Sequence, residues 1–318
     1  MKNPFPRRQP PPDFSRLYAV GQALEKHREL KQAAWVYEQA ARLDPDGLPV
    51  DLKLIASEPQ RFMYRRQMAR FLTEHLDTLR SRVGDGPVEE NTDPKIFVYW
   101  AQGFDDAPPI VKACRKQLEA LHIGEVIELD RESLHRWVDI PADVRLHAEP
   151  DRTHYSDLVR FALLRRYGGV WFDATCLASE SVFGNFDALV TSGFFAFRYH
   201  DALISNWFLA ARPGNYITEM MYQAQCAYWR HRNIDVHYFF PHHMFESLYY
   251  LDPQFAAVWD ATPDLSSHPP HELQKAMQEP YDDARFGQLV SKSFVHKLTY
   301  KRDAKPGSIL ERIASAAA

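Results

Sequence analysis

The sharpest constraint in this chain is the pair Gly168-Gly169, because of what lies on either side of it. Before it, Thr153 to Tyr167 reads as a helix, with Asp151 or Thr153 as its cap and the two glycines as its stop. After it, Val170 to Leu177 is apolar and aromatic enough to be a strand. A helix that stops on two glycines and passes straight into a strand folds that strand back against itself. The segment upstream repeats the theme. Lys95-Ile96-Phe97-Val98-Tyr99-Trp100 reads as a strand, Pro109 to His122 as a helix, and Glu125 to Leu129 as a second strand. The resulting β-α-β-α-β order predicts an α/β sheet with parallel pairing.

The rest of the chain is read as helical on both sides of this centre. From Phe14 to about Arg82, Leu17, Val20, Gly21 and Leu24, then Ala33, Ala34, Tyr37, Ala40 and Ala41, recur at three- and four-residue spacing. With a glycine in its first helix, Tyr37 in its second and Pro45 after it, this stretch resembles one tetratricopeptide hairpin. A single copy cannot bury its own face, so it reads as a helical appendage, with docking of a protein partner as the alternative. A helix from about Pro59 to Arg82 ends at the breaker run Gly84-Asp85-Gly86-Pro87, which sets a boundary near residue 90. The organisation expected is a Pro-rich disordered tail over 1–13, a helical extension over 14–90 and the α/β domain over 91–318. Beyond residue 200, Leu203–Ala211, Tyr216–His231 and Phe239–Leu251 read as helices, and Ser293–Thr299 as a short strand.

Composition removes several classes of function. A net charge of −4 argues against a sequence-blind nucleic-acid binder. No stretch free of Asp, Glu, Lys and Arg exceeds ten residues, so no membrane-spanning helix is expected. The N-terminus lacks the apolar core of a secretory signal. Cys114, Cys176 and Cys226 are far apart, which argues against a disulfide framework and reads as reduced thiols in a cytoplasmic protein. The glycine-rich dinucleotide and nucleoside-triphosphate loops, the H-E-x-x-H zinc motif and the G-x-S-x-G elbow are all missing.

What remains is concentrated in residues 155–175. Asp157 and Arg160 are three apart on a helix and share a face. Asp173 and Thr175 are two apart on a strand and point to one side. The turn at Gly168-Gly169 brings these four together into one concave spot. A carboxylate for hydroxyls, a guanidinium for a diphosphate and a second carboxylate for a hard divalent ion suit a sugar nucleotide. Read singly, each residue is open to a plainer account. Asp157 with Arg160 is also an ordinary surface pair, Asp173 a turn-facing carboxylate, and Trp100 a core aromatic. His296 is also a core histidine, and Asn206 an interior hydrogen-bonding group. The neighbours His242-His243 diverge by about 100° on a helix and cannot share one ion.

The pattern S-D-x-x-R-x-x-x-L-x-x-x-G-G-x-W-x-D-x-T, from Ser156 to Thr175, resembles the signature of the capsular-polysaccharide-synthesis glycosyltransferases. These are similar to the D-x-D glycosyltransferases that include yeast outer-chain mannosyltransferases and the catalytic domains of large clostridial toxins. The similarity runs from about Lys95 to Lys301, with support from Phe97–Gly103, Ser205-Asn206-Trp207-Phe208 and His296-Lys297-Leu298-Thr299. It implies an α/β fold of the GT-A type, a Rossmann-like nucleotide-sugar-binding domain here carrying a helical N-terminal extension. It further implies a nucleotide-sugar donor, a UDP-sugar first among them, Mn²⁺ or Mg²⁺, and retention at the anomeric carbon. On this resemblance Trp100 stacks the nucleobase, Asp157 holds ribose or sugar hydroxyls, Arg160 faces the donor sugar, and Gln102 and Asn206 complete the donor site. Asp173 opens the D-x-D motif and binds the metal. Thr175 stands where many relatives have a second Asp, which leaves room for His296 as a further metal ligand. Lys297 and Lys301, in a basic cluster with Lys292 and Arg302, would clamp the diphosphate.

The function expected is therefore a metal-dependent retaining glycosyltransferase with a polysaccharide or lipid-linked glycan acceptor. It would be cytoplasmic, with room for a peripheral place at the inner membrane face. Two alternatives stand beside it: a protein-modifying glycosyltransferase of the toxin kind, and a non-catalytic scaffold whose donor site is degenerate.

Overall fold

The computed structural model describes residues 12–27, 29–44, 59–89, 94–121, 124–179, 186–200, 203–231 and 238–316. Most of the expected Pro-rich tail, and the boundary expected near residue 90, lie outside these. The chain forms two compact units, residues 1–74 with 233–247, and residues 75–232 with 248–318.

In the first unit, the helices Pro12–Lys26 and Leu30–Leu43 form a hairpin. Its small core holds Phe14, Ala33, Tyr37, Ala40 and Met63. Gly21 lets the helices approach: a Cβ there would lie 2.5 Å from the Tyr37 ring. The Tyr37 hydroxyl donates to Glu25 (3.0 Å), whose other carboxylate oxygen takes Arg66 and Arg70 at 3.0 and 2.6 Å. The helical N-terminal region read from the 3.6 period is thus present.

The second unit contains a five-stranded mixed sheet. Its strands are β1 (Ile96–Tyr99), β2 (Val126–Leu129), β3 (Gly169–Asp173), β5 (Phe194–His200) and β6 (Leu203–Ala211), in the order β2-β1-β3-β6-β5. The β2, β1 and β3 strands run parallel, and β6 and β5 are added antiparallel. This is the α/β class expected. β1 and β3 are central and buried, so their residues are apolar on both faces. Ile96, Val98, Val170 and Phe172 face a core shared with the Pro109–Ala120 helix and the C-terminal Ile309–Ser315 helix. Phe97 faces the other way, with its ring 5.8 Å from that of Tyr167 on the Arg152–Tyr167 helix.

Two details of that helix fix the centre. Asp151 caps it, accepting from the backbone N–H of Thr153 and His154, both at 3.1 Å. At its far end Gly168 and Gly169 have φ of 62° and 83°. A Cβ on Gly169 would lie 2.2 Å from the Lys95 carbonyl oxygen, so only glycine lets β3 start beside β1.

Among the strands, three differ from the sequence reading. Leu203–Ala211 is a strand, not a helix, and so Asn206 lies on β6. Its apolar run, Ile204, Trp207, Phe208 and Leu209, is buried inside the sheet, and a short apolar run has no period of its own to separate helix from strand. The hairpin partner β5 has no counterpart in the sequence reading. The expected strand from Val170 to Leu177 is two strands, β3 and β4 (Cys176–Ala178), with a turn at Ala174-Thr175 between them. β4 leaves the main sheet and pairs antiparallel with β7 (Val295–Lys297) in a two-stranded ribbon. The three cysteines are buried free thiols. Among the described residues, no helix is long and apolar enough to cross a membrane.

Candidate functional site

The sheet's topology makes the site. The crossover from β1 leads to β2 on one side, while the chain from β2 returns to β3 on the other. The strand order therefore reverses at β1, and a crevice opens beyond the carboxyl ends of β1 and β3, the usual ligand position in such sheets. Tyr99 and Asp173, the last residues of the two strands, lie side by side in the ladder. A cavity of about 360 Å³ sits there, its wall including Trp100, Gln102, Arg152, Ser156, Asp173, Thr175, Lys297 and Tyr300.

The charges converge on Asp173. Its Oδ1 accepts from the Trp171 indole N–H at 2.9 Å and from an Arg160 Nη at 3.3 Å. Its Oδ2 accepts from Lys297 Nζ at 2.7 Å, and the same ammonium donates to Thr175 Oγ1 at 2.8 Å. The β4–β7 ribbon brings Lys297 there: it is paired with Cys176, and the Leu298 N–H donates to the Thr175 carbonyl at 2.9 Å. Burial alone would raise the Asp173 carboxyl, but the Lys297 and Arg160 charges overcome it and hold the group below the usual carboxylate range. Burial likewise works against the Lys297 charge, and the facing Asp173 more than restores it, so the lysine stays a cation.

Asp157, Arg160 and Asn206 form a layer behind this wall. The Arg160 guanidinium donates to the Asn206 carbonyl at 2.7 Å and Ser156 Oγ at 3.3 Å, and pairs with Asp157 at 3.0 Å. It lies over the Trp171 ring at 5.2 Å. The Asn206 side chain donates to the same Asp157 oxygen at 2.8 Å. Asn206 reaches it from an irregular stretch of β6, where the pairing with β5 shifts register between Ala196 and Phe197. Asp157 is 4% exposed. Burial pushes its carboxyl up to about 6 against the pull of Arg160.

The residues expected to act together are thus only partly gathered. Trp100, Gln102, Asp173, Thr175 and Lys297 line the cavity, while Arg160, fixed by Asp157 and Asn206, holds Asp173 from behind. His296 is turned away. It is fully buried on the opposite face of β7 from Lys297, and its Nε2–H donates to the Val290 carbonyl at 3.0 Å. Lys301 is exposed and outside the cavity wall. Lys292 lies 3.7 Å from Glu272, and Arg302 donates to the Gln274 carbonyl at 3.1 Å. Four residues of the site were given no role in the sequence reading, although Ser156 and Trp171 stand in the signature. Arg152 and Ser156 fall at i and i+4 before Arg160, a helical spacing that would have identified them. Trp171 sits two before Asp173 on the same strand face. Tyr300, whose ring meets Trp100 edge-on at 5.3 Å, has no sequence signal of its own.

A resident Mn²⁺ or Mg²⁺ asks for several oxygen ligands with free lone pairs. Here Asp173 spends both oxygens, and Thr175 its hydroxyl, on N–H donors of this chain, and His296 faces elsewhere. Among the described residues no group of three or more His, Cys, Asp and Glu side chains is arranged to hold a metal. The residues present do not fit that ion as they stand.

Fold and site together define an α/β protein with an anion-ready, aromatic-edged cavity at a strand switch point. The chain belongs to the capsular polysaccharide synthesis protein family, whose model matches residues 52–313. Among solved structures it is similar to one titled "PaToxG Glycosyltransferase", with 12% identity, a TM-score of 0.34, and coverage of 81% of this chain and 96% of that one. No curated protein matches it in sequence.

Proposed function

We propose that this member of the capsular polysaccharide synthesis family is a glycosyltransferase. It takes a nucleotide-sugar donor in the cavity beyond β1 and β3 and passes the sugar to a polysaccharide or lipid-linked glycan. The observation that carries the reading is the pairing, in one cavity, of an aromatic edge (Trp100 and Tyr300) with cations (Lys297 and Arg152) around Asp173. A nucleotide sugar has the same division, a flat base at one end and a diphosphate at the other. Trp100 and Tyr300 suit the base. Lys297 and Arg152 suit the diphosphate, and Ser156 and Gln102 are hydrogen-bonding groups for ribose or sugar hydroxyls.

The reading includes transfer with retention. Asp173 is the carboxylate in the cavity wall, and three N–H donors, two on Oδ1 and one on Oδ2, hold it ionised and engage most of its lone pairs. That makes it a poor base for activating an acceptor on the far face of the sugar. Its role is electrostatic, to hold Arg160 and Lys297 in place before the donor arrives.

The test is calorimetric titration with UDP, GDP, dTDP and CDP, comparing the unsubstituted chain with Trp100→Ala. Stacking of a base on an aromatic ring is worth about 1–3 kcal/mol, so one of the four should bind, and Trp100→Ala should weaken it about 5- to 150-fold. Binding by none of them, or equal binding by Trp100→Ala, would overturn the reading.

A further inference from the structure

Between Asp173 and Thr175, where the D-x-T pattern leads one to look for a divalent ion, there is an ammonium. We infer that Lys297 takes over the charge-neutralising work of a divalent cation, so that this chain binds and cleaves its donor without one. The inference rests on the donor-site reading above and goes beyond it.

Lys297 bridges the two side chains of the motif, at 2.7 Å from Asp173 Oδ2 and 2.8 Å from Thr175 Oγ1. It is not a loose surface lysine that happens to point inward. The β4–β7 ladder sets its register, and the Leu298 N–H to Thr175 carbonyl bond ties the next residue to the motif itself. Arg160 approaches the other Asp173 oxygen at 3.3 Å, and is itself fixed by Asp157 and the Asn206 carbonyl. The inner set is therefore two carboxylates facing two cations, balanced before any ligand arrives. A divalent ion would have to displace Lys297 into a wall already carrying Arg152. Thr175 becomes intelligible on this account. An ammonium has three N–H donors and needs acceptors rather than a second negative charge. A carboxylate and a hydroxyl satisfy two, and the third is available to a phosphate oxygen.

The bond changes need no metal. The bond from the anomeric carbon to the diphosphate oxygen breaks, and its electron pair leaves with the diphosphate. The acceptor oxygen, or water in hydrolysis, forms the new bond to that carbon and gives its proton to the departing diphosphate. Lys297 keeps its proton and meets the growing negative charge with an N–H bond and a full positive charge, supported by Arg160 behind Asp173.

The test uses the full chain and the nucleoside diphosphate that binds best. Its affinity is measured in EDTA and in millimolar Mn²⁺, for the unsubstituted chain, Lys297→Met and Lys297→Arg, with melting temperatures as the folding check. The affinity of the unsubstituted chain should change by less than about tenfold between EDTA and Mn²⁺. Lys297→Met should weaken binding about tenfold or more, as expected for a lost charged hydrogen bond, and Lys297→Arg should keep part of it. Should Lys297→Met fail to fold, the EDTA comparison and Lys297→Arg decide. Binding that needs Mn²⁺, tightens tenfold or more with it, or survives unchanged in Lys297→Met would overturn the inference and leave the donor site standing. Absence of binding by any nucleoside diphosphate in either condition would remove the donor site, and the inference with it.

Discussion

Asp157 is a carboxylate enclosed by Arg160, Asn206 and the first turns of its own helix, and its titration exposes what that enclosure costs. Burial, partly opposed by Arg160, lifts its carboxyl from an ordinary 3.8 to about 6. Between those values the unfolded chain has lost the proton that the folded chain keeps. The folded state then binds more protons, so this group's contribution to stability is full below about pH 4 and is lost as pH rises toward 6. Asp157→Asn cannot titrate. Its unfolding free energy relative to the unsubstituted chain, read by chemical denaturation, should therefore climb from pH 4 to pH 6 and level off above, by an amount on the order of 1–3 kcal/mol. A difference that stays flat with pH would mean that Asp157 ionises in the fold as it does in the open chain. Asp173 shifts the opposite way because two cations face it rather than one. Asp157 and Asp173, sixteen residues apart in the chain, would look alike in composition, yet Asp173 is held charged and Asp157 is close to neutral at mild acidity.

At the scale of elements, the join between the Arg152–Tyr167 helix and β3 determines whether Asp173 reaches the crevice. Gly169→Ala would combine a left-handed backbone, φ 83°, with a Cβ 2.2 Å from the Lys95 carbonyl, which β3 also uses as hydrogen-bond acceptor for Val170. Gly103 has the same φ but nothing within 4 Å of its added Cβ. Gly103→Ala should cost about 1–2 kcal/mol of backbone strain, and Gly169→Ala about 2 kcal/mol more, read by chemical denaturation. Equal costs would show that β1 and β3 yield without penalty. The same join explains what could be read from sequence. The glycine pair, the capped helix before it and the apolar strand after it all act locally, so β1, β2, the Arg152–Tyr167 helix and β3 were legible. β6 was not, because its burial comes from β3 and β5 rather than from a period of its own. At β7 the right segment was identified, but His296 and Lys297 point to opposite faces. A one-residue choice on a strand is settled by pairing with β4, which no local signal encodes.

On the scale of the molecule, the site draws on residues 124 apart in the chain, Asp173 and Lys297, yet everything that builds it belongs to one compact unit. The family match, residues 52–313, contains that site in full, while the N-terminal hairpin over 12–43 precedes the match. On the proposed function, the chemistry resides in the α/β unit, and within it in the charges held around Asp173. The measurement that tests this most directly is donor cleavage by the purified chain across a panel of nucleotide sugars, followed as release of nucleoside diphosphate, with Asp173→Asn beside it. Removing the charge that holds Lys297 and Arg160 should lower turnover about a hundredfold or more, in line with the loss of a preorganised electrostatic group, while the fold persists. Cleavage of one donor by the unsubstituted chain and its loss in Asp173→Asn is the predicted result. No cleavage of any donor, or full turnover by Asp173→Asn, would contradict it.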